Sequence, residues 1–79
     1  MHLDEKIIGQ TIKLLRKEKG VSQEVLSGLA GIARTHLTMI EKGTKKANFE
    51  TLCKIAAALD MKPSKLVKYI EEYAEKEQD

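Results

Sequence analysis

Two residues, Gly31-Ile32, separate two short segments of helical periodicity, and so little chain leaves few ways to join them. Upstream, Gln23 to about Ala30 carries Val25, Leu26, Leu29 and Ala30 behind Ser22, a good helix cap. Downstream, Ala33 to Lys42 carries Leu37 and Ile40 as its buried stripe and stops at Gly43. A link this tight cannot lay the two helices side by side. Gly31 accepts the left-handed backbone that closes a helix, and Ile32 plugs the space beneath the turn, so the helices cross steeply. The crossing requires a small residue one turn before the glycine, where the helices touch, and Ser27 stands there. It also requires apolar anchors to the rest of the domain, which Leu26, Ile32, Leu37 and Ile40 supply.

The remainder of the chain reads as helix too. No stretch alternates apolar and polar residues long enough for a strand. A first helix runs from about Asp4, its N-cap, to Lys19, with Ile8, Ile12 and Leu15 on one stripe and Gly20 as its stop. Gly9 inside it costs about 1 kcal/mol against alanine, which marks a close contact. After a basic loop from Thr44 to Ala47, Asn48 caps a fourth helix whose inner face is Phe49, Leu52, Ile55, Ala56 and Leu59. Asp60 ends it in a left-handed or turn conformation. Pro63 suits the first turn of a fifth helix, where Leu66, Ile70 and Tyr73 share a face, and fraying is expected beyond Tyr73. The expectation is all-α: one domain over residues 1–79, with the fifth helix and a polar acidic tail from about 63–79.

Charge divides this chain into two regions. Residues 71–79 carry Glu71, Glu72, Glu75, Glu77 and Asp79 against Lys76, a net of −4, while residues 1–70 carry a net of +6. Within 13–46, Lys13, Arg16, Lys17, Lys19, Arg34, Lys42, Lys45 and Lys46 face only Glu18, Glu24 and Glu41. A basic body with an acidic tail suits a polyanion on one face; the alternative is an ordinary solvated lysine surface. A single cysteine excludes an internal disulfide, and one Cys with two His cannot build a structural zinc site. No apolar run approaches the ~18 residues of a membrane span. The opening His2-Leu3-Asp4-Glu5-Lys6 lacks the apolar stretch of a secretory signal. The expectation is a soluble cytoplasmic domain without metal or cofactor. Gly-rich phosphate loops and nucleophile–base constellations are missing, which argues against an enzyme.

The steep pair of short helices is the geometry of a helix-turn-helix unit, in which the second helix projects outward to enter a major groove. Residues Ile12 to Gly20 (IKLLRKEKG), Ser22-Gln23-Glu24-Val25-Leu26, Ala30-Gly31-Ile32 and Ile40-Glu41-Lys42-Gly43, continued by Leu52, Ile55, Ala56, Leu59 and Asp60, resemble the Cro/C-repressor-type (Xre-type) helix-turn-helix family. The resemblance covers about Ile8 to Leu66. In length it is most similar to the small controller proteins of restriction–modification systems and to short phage-type repressors. It implies a compact five-helix lambda-repressor-like domain, acting as a homodimer on a roughly palindromic DNA operator. The chain departs from the family at Ser27 and Ala47, where alanine and proline are usual, and at Ala33, where serine or threonine usually caps the third helix. Alanine at a cap costs ~1 kcal/mol relative to serine, which allows this helix to start a residue away from Ala33.

Each candidate residue has a role. Arg34, Thr35 and Thr38 face outward from the third helix as base contacts, with His36 and Met39 at the margins. The Arg34 fork matches O6 and N7 of guanine, a pairing worth ~1–3 kcal/mol of discrimination; the alternative is a phosphate contact or a surface ion pair. Thr35 suits a base edge or a thymine methyl, and Thr38 a base or the sugar–phosphate edge. Gln23 begins the second helix, where the helix dipole favours an anion, and its amide adds a phosphate contact while bracing Arg34. Lys42, Thr44, Lys45 and Lys46 flank the third helix on the backbone, joined by Arg16 and Lys17 from the first helix and by a protonated His36. Glu41 is out of place on a DNA face, and its expected job is an ion pair, with Arg16 as the candidate partner. Cys53 reads as a small core residue rather than a redox switch.

Dimerisation follows from the small footprint of one such domain. Met61, Leu66, Val67, Tyr69, Ile70 and Tyr73 spread around more than one face of the fifth helix, enough to cover a core and meet a second copy. The alternative is that this helix only caps a monomeric core. A competing function is an antitoxin or adaptor that uses the same fold chiefly to hold another protein, drawing on the acidic tail and the exposed part of the fifth helix.

Overall fold

The structure, a computed structural model, describes residues 3–77. His2 of the opening segment and Asp79, the last acid of the tail, lie outside the described residues. Five helices follow one another: α1 (Glu5–Lys19), α2 (Gln23–Ala30), α3 (Arg34–Lys42), α4 (Phe49–Ala58) and α5 (Pro63–Glu77). No strand occurs among the described residues.

Side-chain caps set three of the starts. Asp4 accepts from Ile7 N, Ser22 from Val25 N and Asn48 from Thr51 N, each satisfying one of the amides a helix leaves open at its first turn. Ala33 occupies the cap position of α3 in extended conformation and offers no such bond, so the helix begins at Arg34, one residue after Ala33. Gly31 adopts φ 70° between α2 and α3, the left-handed turn that only glycine enters without cost. Asp60 adopts φ 61° after α4, as expected, and its carboxylate pairs with Lys19 at the end of α1.

The core is built from Ile12, Leu26, Leu37, Ile40, Ile55, Ala56, Leu59, Leu66 and Ile70, with Ile8, Leu15, Ile32, Leu52 and Met61 packed around it. α1 lies on α3 and α5, α2 on α3 and α4, and α4 on α5. Gly9 is where α1 and α3 meet: a Cβ there would stand 2.1 Å from the backbone oxygen of Ile40. Ser27 is buried at the α2–α3 crossing and returns its hydroxyl proton to Glu24 O at 3.1 Å. A small side chain therefore fills the contact without an orphaned polar group.

Three expectations fail. Phe49 is 72% exposed, not part of the inner face of α4. It is the first residue of that helix, and Thr51 takes the buried position instead. α5 does not fray after Tyr73; it runs a further turn to Glu77, because Ala74 is buried against the body. Leu66 and Ile70 are 1% and 3% exposed and belong to the core, so neither is available to a second copy. Tyr73, half-buried, donates its hydroxyl to Gln10 Oε1 at 3.1 Å and ties α5 to α1. The neighbouring Glu77 carboxylate, then burial, raises the Tyr73 pKa above the ordinary phenol value.

Candidate nucleic-acid interface

α3 buries Leu37, Ile40 and Glu41 and turns the rest of its circumference outward. Arg34 and Thr35 are exposed on its first turn, Met39 and Lys42 on its later turns, while His36 and Thr38 are half-buried. Beyond it, Thr44, Lys45 and Lys46 are exposed, and Thr44 caps the last turn by donating to Met39 O at 3.2 Å. Lys17 is exposed on α1. Lys46 lies 3.7 Å from Glu5, with its own side chain 79% exposed. Such a solvated pair contributes little, and the lysine stays free to turn toward another anion.

Arg16 is a correction. Its side chain is only 9% exposed, and its guanidinium is spent internally, so it cannot serve as a DNA backbone contact. Nε donates to Glu41 Oε2 at 2.7 Å and Nη2 to Glu41 Oε1 at 3.0 Å, a bidentate fork. Nη1 donates to Val21 O at 2.9 Å, holding the α1–α2 turn. The Glu41 side chain is 2% exposed, so the acid that looked misplaced on a basic surface is the internal counter-ion of Arg16.

The pair extends outward through two further side chains. Gln23 Nε2 donates to Glu41 Oε1 at 2.9 Å, and Gln23 Oε1 accepts from the Thr38 hydroxyl at 2.7 Å. Thr38 also lies 3.0 Å from Arg34 O, one turn back along its own helix. Gln23 thus braces Thr38 and Glu41, not the side chain of Arg34 as expected from sequence. The chain of contacts Arg16–Glu41–Gln23–Thr38 links α1, α3 and α2 from the interior to the outer side of α3. It leaves no buried side-chain polar atom unpaired among the described residues. Periodicity had no means of finding the Gln23–Thr38 and Arg16–Val21 links, since neither a half-buried threonine nor a backbone oxygen carries a sequence signature.

The presumed dimer residues divide. Met61 packs partly on the core, Val67 is exposed, and Tyr69 is half-buried with Lys65 Nζ 5.8 Å above its ring. No group of three His, Cys, Asp or Glu side chains is placed to hold a metal ion among the described residues. No helix there is long and apolar enough to cross a membrane. Cys53 is half-buried with a free thiol.

A protein-family model described as Helix-turn-helix matches residues 12–66. The chain belongs to this family. SinR, an HTH-type transcriptional regulator of Bacillus subtilis (strain 168), is 41% identical over 56 residues, covering 70% of this chain and 50% of its own length. The chain therefore spans only half of SinR. The control protein C.BamHI of Bacillus amyloliquefaciens is 31% identical over 64 residues, covering 80% of this chain and 79% of its own. Among solved structures, the restriction–modification controller protein C.AhdI from Aeromonas hydrophila superposes with a TM-score of 0.77 at 35% identity, covering 82% of this chain and 98% of that one. SinR in complex with DNA gives a TM-score of 0.70 at 39% identity, with 76% and 97% covered. The five-helix fold and the helix-turn-helix at α2–α3 are those of this family, as the motif residues implied.

Proposed function

We propose that this chain is a sequence-specific double-stranded DNA-binding transcriptional regulator that reads a palindromic operator as a homodimer. The supporting observation is the exposed first turn of α3, where Arg34 and Thr35 stand clear of a helix whose opposite side is locked to the body by Leu37, Ile40 and Glu41. A rigid helix with free polar side chains at its N-terminal end is what the major groove admits. The helix-turn-helix family and the DNA complex of SinR support the same reading.

In this mechanism α3 lies in the groove. Arg34 forks onto O6 and N7 of a guanine, Thr35 meets the neighbouring base, and Thr38 follows one turn later. Gln23 keeps one Nε2 hydrogen for Glu41 and has a second for a phosphate at the N-terminus of α2. Lys42, Thr44, Lys45 and Lys46 engage the backbone beyond α3, with Lys17 and His36 at the edges, and set register without reading sequence. Two copies meet through Met61, Val67, Tyr69 and Tyr73, placing the recognition helices about one DNA turn apart, ~34 Å.

Selection from a random duplex library at low salt, followed by anisotropy titration, tests this. Arg34→Ala weakens binding to the selected site about ten- to a hundredfold and flattens preference at one base pair. Lys45→Ala weakens all duplexes alike and lowers the salt slope by about one. Unchanged affinity and preference in Arg34→Ala would remove the site assignment. Sedimentation of the free protein and of its complex checks the homodimer.

A second reading, a protein-holding adaptor, draws on Leu29 and Phe49, apolar yet 63% and 72% exposed. It takes precedence if the chain ignores every duplex offered.

A further inference from the structure

Resting on that reading, the hydrogen-bond polarity of the Arg16–Glu41–Gln23–Thr38 chain carries a consequence for base recognition. We propose that Thr38 is a specificity-determining residue that presents lone pairs only, and so selects a base carrying an amino group, adenine or cytosine, on the strand it faces. The polarity starts inside. Both Glu41 oxygens accept from the Arg16 guanidinium, which can only donate, so the carboxylate faces its neighbours as an acceptor. The group of Gln23 that faces it at 2.9 Å is therefore the Nε2 donor. That choice turns Oε1 toward Thr38, and an amide oxygen can only accept. The threonine hydroxyl has one proton, and it is committed to Gln23 Oε1 at 2.7 Å. Its second neighbour, Arg34 O at 3.0 Å, is another acceptor. Whichever of the two holds the proton, none is left for an outside partner.

Thr38 is half-buried on α3 beside Gln23 of α2, one turn after Arg34. What its oxygen offers there is acceptor capacity. In the major groove, adenine N6 and cytosine N4 are donors, whereas guanine O6 and N7 and thymine O4 are acceptors. A phosphate oxygen is an acceptor too. The hydroxyl thus matches an amino base and opposes a keto base or the backbone, which resolves the choice between base and sugar–phosphate edge that the sequence leaves open. Gln23 and Glu41 act as positioning residues: neither needs to touch the base, yet together they fix which way the threonine bonds.

The test compares the wild-type chain with Thr38→Val, which keeps the shape and loses the hydroxyl, and with Thr38→Ser, which keeps the hydroxyl. Each is passed through the same random-duplex selection, with thermal melting to verify folding. Wild type and Thr38→Ser enrich one base pair at one position, through its adenine or cytosine, and Thr38→Val loses that preference. Removing the amino group of that base, with a purine lacking N6 or a pyrimidinone lacking N4, weakens wild type about three- to tenfold and leaves Thr38→Val unchanged. No loss for wild type on removing the amino group at the Thr38-sensitive position overturns the inference. So does a Thr38→Val profile identical to wild type, or an equal loss for both proteins on the modified base. Each of these leaves the proposed function standing, because an operator has still been selected. Failure of wild type to enrich any duplex overturns both.

Discussion

The two ends of this molecule are held by different physics. At the α1–α2–α3 end, a buried carboxylate gathers an arginine, a glutamine and, through it, a threonine into fixed directions. At the α4–α5 end, Ile55, Leu59, Leu66 and Ile70 pack by shape, and the polar contacts lie at the edges, as with Tyr73 on Gln10. Apolar packing is non-directional and tolerates small adjustments in the angle of a helix. Charge-assisted hydrogen bonds do not. The end that presents α3 is oriented by bonds, and the opposite end is closed by area.

The sharpest way to break this contrast is at Glu41. Glu41→Ala leaves the Arg16 guanidinium buried without its partner and is expected to cost roughly 3–5 kcal/mol, read by urea denaturation. That is a large share of the ~5–15 kcal/mol typical of a whole domain. The paired replacement Arg16→Met with Glu41→Leu regains most of that stability, since both charges leave together. It still leaves Gln23 undirected, so DNA selectivity stays impaired after stability returns. Recovery of both would show that the network only holds the fold.

At the other end, Leu66→Ala is expected to cost about 2–5 kcal/mol, since truncating a side chain that is 1% exposed leaves a cavity. Its effect on DNA is through stability alone: at temperatures where the variant is folded, base preference matches wild type. Altered preference would mean that the two ends are coupled more closely than their packing indicates. The smallest effect is a gain. Ala33→Ser supplies the missing cap of α3 and is expected to add about 1 kcal/mol, seen as a rise in melting temperature. No gain would place an unrecognised partner on the open amides of that helix.

Most of the fold was legible because this chain punctuates its helices. Asp4, Ser22 and Asn48 announce starts, and Gly20, Gly31 and Gly43 announce stops, each with a local mechanism that needs no tertiary information. The ion pair between Glu41 and Arg16 was legible as well, since an acid in a basic surface asks for a reason. What was not legible depends on contacts across the chain. Counting Arg16 among surface bases ignored its burial, which Val21 and Glu41 decide together. α5 carries apolar residues on more than one side, and periodicity alone does not say that Leu66 and Ile70 face the core while Val67 faces out. Phe49 misled by its size: at the first position of α4 it lies beyond the reach of the core. The Gln23–Thr38 bond joins two helices fifteen positions apart, and only the crossing angle set at Gly31 brings them together.

The absent side chain at Gly9 has a mechanical result. Nothing larger than a hydrogen separates α1 there from the carbonyl of Ile40, and a Cβ at Gly43 would stand 2.9 Å from Lys6 Cα a turn away. Two rods touching at backbone level in two places cannot roll or slide without first lifting apart, and close-packed interiors resist lifting. α3 and the α1 helix behind it therefore move as one solid piece. If the proposed DNA complex forms, any accommodation has to come from the duplex rather than from the α1–α3 contact.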